Sequence, residues 1–509
     1  MAFGQSIRAT CAAAFLLATA IVNLAPTGVH AWIPHVITKG NKLFDSESGL
    51  EFRMKGMAYY PRPNAGEMAT AGNYDWAADE HEEIWSEHLK VLQDLGVNTI
   101  RLYSVDPSKS HDKFMCACSS AGIYVLVGMA APCDGCSVQE AESPKCYPDG
   151  LFTRMQMVYN AFAVYDNTLG FSVANEPNLV SIKGDQGKTV APCVKAMIRD
   201  ARKYASSCAG SLRQVPIGVD IADIPPRGQW LQYYDCAVDT DENTRAEWIG
   251  SNPYVECDPT THLKFEQSTG LITLMKDYAD TGYSRVLMFG EFGCNKGTNT
   301  IDGFENQRSF LDAKWMNEES TMTDVIVGGN VFEFTTEIAN LAGTKKLSKT
   351  KDEGKFGVGY FQPDNCDNVK TMCKYTPYPE YDNLKKAYTT TKNSTVTLDS
   401  FTPKRDEILT CPTTIKTDLP STPKVETLSC SVAQPVCNGK KSNAFKKTGK
   451  ATALGDTKAP TNSDTEATTK PLSSSSSSGD SKTSSAFTTS AAGVAASALS
   501  LAAVVALAL

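Results

Sequence analysis

Short apolar runs alternate with longer amphipathic stretches along the chain from Trp32 to about Tyr388. The apolar runs are bounded by Gly, Pro or Asn, which is typical of strands buried on both faces of a parallel sheet. Between them lie helical stretches such as 82–95, where apolar residues recur at helical spacing before a C-capping Gly96, and 190–204. The predicted strands are 55–60, 98–103, 123–127, 170–175, 215–219, 248–252, 286–290 and 325–334. Eight strands alternating with helices predict an α/β fold, a (β/α)8 TIM barrel.

Two of the predicted strands end in a glutamate. Glu176 follows the apolar run 169–175, and Glu291 follows 286–290. Burying an ionised carboxylate is unfavourable unless the group meets a partner or faces a cleft, and barrel enzymes carry their catalytic residues at the C-terminal ends of the strands. We interpret the pair as the acid/base and the nucleophile of a retaining glycosidase, whose two carboxyl groups lie about 5 Å apart. The alternative is that each glutamate caps a strand or meets an arginine.

Other polar residues occur at the same predicted strand ends. Asn175 directly precedes Glu176, where it can either hold the 2-OH of a sugar or cap the end of the strand. Arg101 and Asp106 close the second predicted strand. We expect them to lower the pKa of the nucleophile or to brace the loop; the alternative is a buried ion pair that supports the barrel.

Composition narrows the possible function classes. The chain of 509 residues has a formal net charge of −8 that arises from mixed charges, so nucleic acid is not an expected partner. Only six histidines are present, and none forms a His-x-x-x-His pair. We therefore predict no metal site and no cofactor.

Both chain ends resemble targeting segments. Residues 1–31 combine Arg8, an apolar stretch and a small-residue cleavage site, which predicts a secretory signal peptide. A Ser-rich stretch, 471–485, precedes an apolar tail, 491–509, which predicts a glycosylphosphatidylinositol anchor at Ser478 or Gly479. The alternative is a tail-anchor helix that is retained. The predicted domains are a catalytic domain with a short Cys-containing extension over 32–415, a Ser/Thr/Lys-rich linker or stalk over 416–478 that we expect to be disordered beyond Lys440, and a removed anchor signal over 479–509.

The cysteines indicate an oxidising compartment. There are sixteen of them, and Cys11 leaves with the predicted signal peptide, so an odd number remains and at least one thiol is unpaired or bridges two molecules. The spacing of Cys133, Cys136 and Cys146 is a little like that of a zinc knuckle, but without matching histidines we expect a loop held by disulfides. Asn393 begins the one N-glycosylation motif found, and we expect it on the surface.

Several blocks of the chain follow one another in a recognisable order: 55–59, 98–106, 121–125, 170–176, 194–200, 215–218, 252–254 and 291–295. Taken together they resemble the fungal glycosylphosphatidylinositol-anchored β-1,3-glucanosyltransferases of glycoside hydrolase family 72. The resemblance extends over about residues 35–415. It implies that Glu176 is the acid/base, that Glu291 is the nucleophile, and that Tyr103, Asn175 and Tyr254 contact the substrate. It also implies the disulfides Cys257–Cys294 and Cys236–Cys411.

Some positions depart from the pattern of this family. Tyr60 stands where the family usually has Gln, and Phe332 stands where it usually has Tyr; we expect both to remain substrate-binding positions. Only two cysteines follow Cys411, so we expect the family's Cys-rich C-terminal carbohydrate module to be absent. The expected function is transfer between β-1,3-glucan donor and acceptor chains at the cell surface, with the membrane contacted through the lipid anchor. The alternatives are a β-1,3-glucan endo-hydrolase and a non-catalytic glucan-binding wall protein.

Overall fold

The computed structural model describes residues 32–442, except for 181, 183, 257–261, 295–298, 301–302, 305–307 and 339–355. The predicted signal peptide, most of the predicted stalk, Ser478, Gly479 and the apolar tail lie outside the described residues. Within the part that is described, no helix is both long and apolar enough to cross a membrane.

A closed barrel of eight parallel strands forms the centre of the molecule. Each strand pairs with the next along the chain, and β8 pairs with β1 to close the ring. The fold prediction is therefore confirmed, and every barrel strand overlaps a predicted one. The strands are β1 (Met54–Ala58), β2 (Thr99–Leu102), β3 (Tyr124–Gly128), β4 (Thr168–Asn175), β5 (Ile217–Ala222), β6 (Trp248–Asn252), β7 (Val286–Phe292) and β8 (Gly328–Val331).

Helices cover the outside of the barrel. The first, α1, spans the predicted range and ends at Gly96, whose φ of 78° is the left-handed conformation that favours glycine at this position. The helices are α1 (Glu82–Leu95), α2 (Asp112–Ser120), α3 (Asp149–Phe162), α4 (Ala191–Ser207), α5 (Arg227–Asp235), α6 (Thr269–Asp280), α7 (Leu311–Glu318), α8 (Ser320–Thr323) and α9 (Tyr381–Thr390).

The barrel interior is apolar at one end and polar at the other. Residues at the strand starts, among them Met54, Leu126 and Trp248, form a buried apolar cluster. A three-stranded antiparallel sheet (Val36–Lys39, Lys42–Asp45, Glu51–Phe52) packs against this end through Val36 and Leu43. At the C-terminal strand ends the buried residues are instead polar or charged: Arg101, Ser172, Asp220, Asn252, Glu291 and Asn330. A candidate site therefore lies at the end where barrel enzymes have their active sites.

Disulfides tie the last described segment to the outside of the barrel. Cys236 is bonded to Cys411, the pairing that the family resemblance implies. Two further bonds, Cys208–Cys430 and Cys116–Cys437, hold residues 416–442 against the helices, although the sequence predicts a stalk from 416 onward. This segment therefore has contacts with the barrel that its sparse apolar content does not indicate.

The remaining described cysteines are consistent with an oxidised chain. Cys133 is bonded to Cys136, and Cys146 to Cys193, so this region is a disulfide-held loop and not a zinc knuckle. Cys366 pairs with Cys373. Cys118 is buried and free among the described cysteines. Asn393 is exposed, as expected for a glycosylation acceptor.

Candidate active site

Glu176 and Glu291 meet at the C-terminal face of the barrel. Glu291 is the penultimate residue of β7, and Glu176 comes directly after β4. Glu176 has a φ of 49°, which is uncommon for a residue other than glycine. Its backbone N–H donates to the carbonyl of Asp220 on β5 at 2.9 Å, and Pro177 then begins a short 3-10 turn. The chain thus turns sharply at Glu176, directly after the end of β4.

Three donors hold the buried carboxylate of Glu291. Its Oε1 accepts hydrogen bonds from Arg101 Nη1 at 3.1 Å and from Tyr103 Oη at 2.8 Å, while Oε2 accepts one from Tyr254 Oη at 2.9 Å. Burial and the neighbouring negative charge of Glu291 raise the pKa of the Tyr254 phenol well above its usual value, so it stays a donor. Donors on both oxygens stabilise negative charge and fix the orientation of the carboxylate, as a nucleophile requires.

Glu176 has a different environment. Its Oε1 accepts one hydrogen bond, from Asn252 Nδ2 at 2.9 Å. The pKa of Glu176 is raised from 4.5 to about 7, mainly by burial and secondly by the negative charge of Glu291. Near neutral pH this carboxyl group can therefore carry a proton and give it up, as an acid/base requires. Two carboxyl groups in such different environments take different chemical roles.

Arg101 connects the two halves of the site. Its buried guanidinium donates from Nη2 to Asn175 Oδ1 at 2.7 Å, in addition to the contact of Nη1 with Glu291. It also forms an ion pair with Asp220 Oδ2 at 3.1 Å. Arg101 thus contacts the glutamate and also forms a buried ion pair. The partner is Asp220 and not Asp106, which instead binds Ser108 outside the site.

Asn175 lies between the two glutamates. Its Oδ1 accepts from Arg101 and, at 3.3 Å, from Asn252 Nδ2. Because the oxygen is engaged by these donors and the residue is exposed, its amide N–H groups are presented to the cleft. An exposed amide donor next to an acid/base can bind a sugar hydroxyl.

Aromatic side chains flank Glu291. Phe332 meets the ring of Tyr103 edge-on at 6.5 Å and that of Phe356 at 5.6 Å. Phe356 in turn meets Tyr254 at 5.6 Å. These four residues form a continuous aromatic wall, and such rings commonly contact the apolar faces of ligands.

Tyr60 is tied to a neighbouring loop. Its hydroxyl donates to the carbonyl of Ala71 at 2.8 Å and accepts from the backbone N–H of Tyr74 at 3.0 Å. The guanidinium of Arg62 lies 4.8 Å from the centre of its ring. The hydroxyl group thus both donates to and accepts from this loop, so a ligand would contact the aromatic ring of Tyr60 and not its hydroxyl group.

The predicted disulfide at the nucleophile lies partly outside the described residues. Cys294, three residues after Glu291, is disulfide-bonded. Cys257 lies outside the described residues, so the pairing Cys257–Cys294 stays a prediction. Within the described part of the chain, no group of three or more His, Cys, Asp or Glu residues is placed to hold a metal ion.

Sequence reasoning missed three parts of this arrangement. Asp220 follows the predicted strand 215–219 by one residue, so it was not recognised as a strand-end carboxylate. Asn252 was placed at the end of a predicted strand but was given no role. Phe356 carries no signal, because it belongs to no predicted element.

Comparisons with known proteins agree with the geometry. A family model described as glucanosyltransferase, glycoside hydrolase family 72, matches residues 27–357. The 1,3-beta-glucanosyltransferase GAS5 of Saccharomyces cerevisiae is 29% identical over 378 residues, covering 72% of this chain and 71% of that protein. The 1,3-beta-glucanosyltransferase gel1 of Aspergillus fumigatus is 29% identical over 390 residues, covering 76% and 73%.

Solved structures show the same likeness. The apo structure of Gas2p from Saccharomyces cerevisiae has a TM-score of 0.61 and 27% identity, covering 77% of this chain and 73% of that one. Gas2p in complex with laminaritetraose and laminaripentaose has a TM-score of 0.59 and 26% identity, covering 77% and 75%.

Proposed function

The chain belongs to the glucanosyltransferase family, glycoside hydrolase family 72, and on this basis we propose that it is a retaining β-1,3-glucanosyltransferase acting through Glu176 and Glu291. The observation that carries the proposal is the contrast between the two carboxyl groups. Glu291 has donors on both oxygens, whereas burial and the charge of Glu291 raise the pKa of Glu176 to about 7. A retaining enzyme needs this combination of a charged nucleophile and a protonated acid.

The first half of the reaction cleaves the donor glucan. Glu176 gives its proton to the leaving glycosidic oxygen while a Glu291 oxygen bonds to the anomeric carbon, which forms a covalent glycosyl-enzyme. Tyr103 and Tyr254 keep the Glu291 carboxylate oriented towards that carbon. The exposed amide of Asn175 binds the 2-OH of the sugar that reacts.

The second half transfers the glycosyl group. Glu176, now a carboxylate, takes the proton from the 3-OH of an acceptor glucan as that oxygen attacks the anomeric carbon. The bond to Glu291 breaks, the carboxylate is restored and Glu176 is protonated again. Net retention follows from the two successive inversions at the same carbon. Water in place of the acceptor would give hydrolysis.

A product analysis separates transfer from its alternatives. The purified protein is incubated with reduced laminari-oligosaccharides, and products longer than the substrate indicate transfer. Only shorter products would indicate an endo-hydrolase, and binding without any change in length would indicate a non-catalytic wall protein. Glu291→Gln, which removes the nucleophile with little change of shape, is the control and should abolish both lengthening and shortening.

We also propose that 32–415 is the catalytic domain, that the signal peptide 1–31 is removed, and that a lipid anchor at Ser478 or Gly479 holds the protein at the cell surface. The end of the described chain contacts two other parts of the molecule. Trp32 Nε1 donates to the carbonyl of Lys440 at 3.0 Å, and Ser442 Oγ donates to that of Val164 at 2.7 Å.

Val164 lies between α3 and β4, at the face of the barrel where strands begin. The last described residue is therefore at the face of the barrel opposite the catalytic strand ends. Mass spectrometry of the mature protein tests the anchor: the tail 491–509 should be missing, and a mass that includes it would favour a retained membrane-spanning helix.

A further inference from the structure

A third carboxyl group, that of Asp220, lies behind the two glutamates. It belongs to β5 and is almost completely buried. Its Oδ2 accepts a hydrogen bond from Ser172 Oγ at 2.6 Å and pairs with Arg101 Nη2 at 3.1 Å. Burying a carboxylate costs free energy even when it is paired. A contribution to stability therefore does not by itself explain why Asp220 is present at this position.

The surroundings of Asp220 leave room for this side chain and little else. A Cβ atom at Gly250 on the neighbouring strand β6, or at Gly290 on β7, would overlap Asp220 Oδ1, so the carboxyl group fits only because both positions are glycine. Oδ1 makes no hydrogen bond within the described part of the chain. The Asp220 carboxyl group is thus held in one position, with Oδ2 directed at Ser172 and Arg101.

This position determines how Arg101 is oriented. The guanidinium is planar, and its two terminal nitrogens have different partners. Nη2 meets Asp220 and Asn175, while Nη1 meets Glu291 Oε1 and the carbonyl of Gly290, each at 3.1 Å. Holding Nη2 against Asp220 directs Nη1 towards Glu291.

Asp220 also limits how much positive charge Glu291 receives. Arg101 pairs with both Asp220 and Glu291. A carboxylate that pairs alone with an arginine has its charge neutralised more fully, and is a poorer nucleophile, than a carboxylate that shares the arginine with a second one. We propose that Asp220 is a positioning residue that aims and shares the Arg101 guanidinium, and so sets the reactivity of Glu291 and the working pH of Glu176. The inference rests on the roles proposed above for the two glutamates.

The electrostatics of the site point the same way. The negative charge of Asp220 is among the causes that raise the pKa of Glu176, after burial and the charge of Glu291. Burial raises the pKa of Asp220 itself, while Arg101 and the hydrogen bond from Ser172 oppose that rise. An ionised Asp220 therefore helps Glu176 to keep its proton.

The direct test is Asp220→Asn, which removes the charge and keeps the shape. The variant should fold, because an amide nitrogen at the place of Oδ1 can donate to Asn252 Oδ1, a buried oxygen without a partner in the described structure that crowds the same space beside Gly290. We expect kcat for oligosaccharide cleavage to fall roughly 10- to 100-fold, as misplacement of a catalytic group costs. KM should change only a few-fold. The basic limb of the kcat/KM profile should move to lower pH, since Glu176 loses a charge that raises its pKa.

Asp235→Asn is the matched control. Asp235 forms a buried ion pair with Arg245 at 2.8 Å outside the cleft, so its variant should lose stability but keep the wild-type pH profile. Ser172→Ala, which removes one of the two partners of Oδ2, should shift the profile in the same direction as Asp220→Asn with a smaller loss of kcat.

Two results would overturn the proposal. One is a wild-type kcat in Asp220→Asn; the other is a loss of activity in which the basic limb does not move, since that would show a role in the fold alone. Glu176→Gln and Glu291→Gln in the same assay separate this failure from a failure of the proposed reaction, because full turnover in either would refute the catalytic roles themselves.

Discussion

The proton on Glu176 should affect the stability of the protein as well as its activity. In the native state burial and the charge of Glu291 raise the pKa of this carboxyl group from 4.5 to about 7. In the unfolded chain neither influence remains. The native state therefore binds the proton more tightly, and the free energy of unfolding must fall as the pH rises between these two values.

The size of this effect follows from the shift. Each unit of pKa corresponds to 1.36 kcal/mol, so a rise from 4.5 to about 7 corresponds to about 3 kcal/mol. This contribution is fully present below about pH 4.5 and is lost as the pH rises through about 7. Glu176→Gln cannot ionise and should not lose it. Relative to the wild type, the variant should thus gain about 3 kcal/mol between pH 4 and pH 8.

The assay is denaturant unfolding of the wild type and of Glu176→Gln at pH 4 and pH 8. Titrating groups that do not interact with Glu176 contribute equally in both proteins, so they cancel in the difference between the two pH values; Glu291, which interacts with Glu176, is the exception. Glu83→Gln, at an exposed position on α1, is the control and should show no such gain. In parallel, kcat/KM of the wild type should fall about tenfold per pH unit above pH 7.

The reasoning would fail if Glu176→Gln and the wild type changed in stability by the same amount between the two pH values. It would also fail if the basic limb of kcat/KM lay near pH 4.5. A third check applies the same unfolding assay to Glu291→Gln. The apparent pKa of Glu176 should be lower in this variant, but it should stay above its ordinary value because burial is the larger cause of the shift.

Three further predictions concern neighbouring features. Tyr254→Phe removes one donor from Glu291 and should lower kcat/KM about tenfold or more, since a hydrogen bond to a charged group contributes about 1.5–3 kcal/mol. Unchanged kinetics would show that this hydrogen bond has no role in the reaction. Cys208→Ser opens the bond to Cys430 and should lower the free energy of unfolding by about 2–5 kcal/mol in non-reducing melts, with kcat at low temperature unchanged. Gly290→Ala places a Cβ against Asp220 and should destabilise the protein by about 1–3 kcal/mol and reduce kcat, and a fully active, stable variant would contradict the crowding seen there.

The barrel could be predicted because its strands are buried on both faces. A strand such as β7 must then be apolar at every position, and the break from that pattern at Glu291 marks both the strand end and a residue with a special environment. Glu176 could be identified in the same way, because it follows the apolar run 169–175. Asp220 and Asn252 also end predicted apolar runs and were not recognised as part of the site, so this pattern provides candidate residues without identifying all of them.

The other parts of the site could not be predicted in this way. Arg101 was a candidate from the sequence, but its partner Asp220 and the Glu176 donor Asn252 come from strands that are remote in sequence, and the sequence does not say which strand ends face one another across the barrel. The segment 416–442 was missed for a different reason. It is held by two disulfides and by bonds such as Leu428 N–H to Gln156 Oε1 at 2.8 Å, so its attachment does not depend on apolar composition.

The arrangement around Arg101 suggests why so many polar groups are buried at this end of the barrel. A lone arginine beside Glu291 would stabilise its charge but would also weaken it as a nucleophile. Dividing the guanidinium between Glu291, Asp220 and Asn175 keeps the orientation while it shares the charge. Within the described structure Asp220 Oδ1 and Asn252 Oδ1 have no hydrogen-bond partner, so the network holds Arg101 through Asp220 Oδ2 and Asn175 Oδ1. This network also accounts for glycine at positions 250 and 290, because the absence of a side chain there leaves the space that the Asp220 carboxyl group occupies.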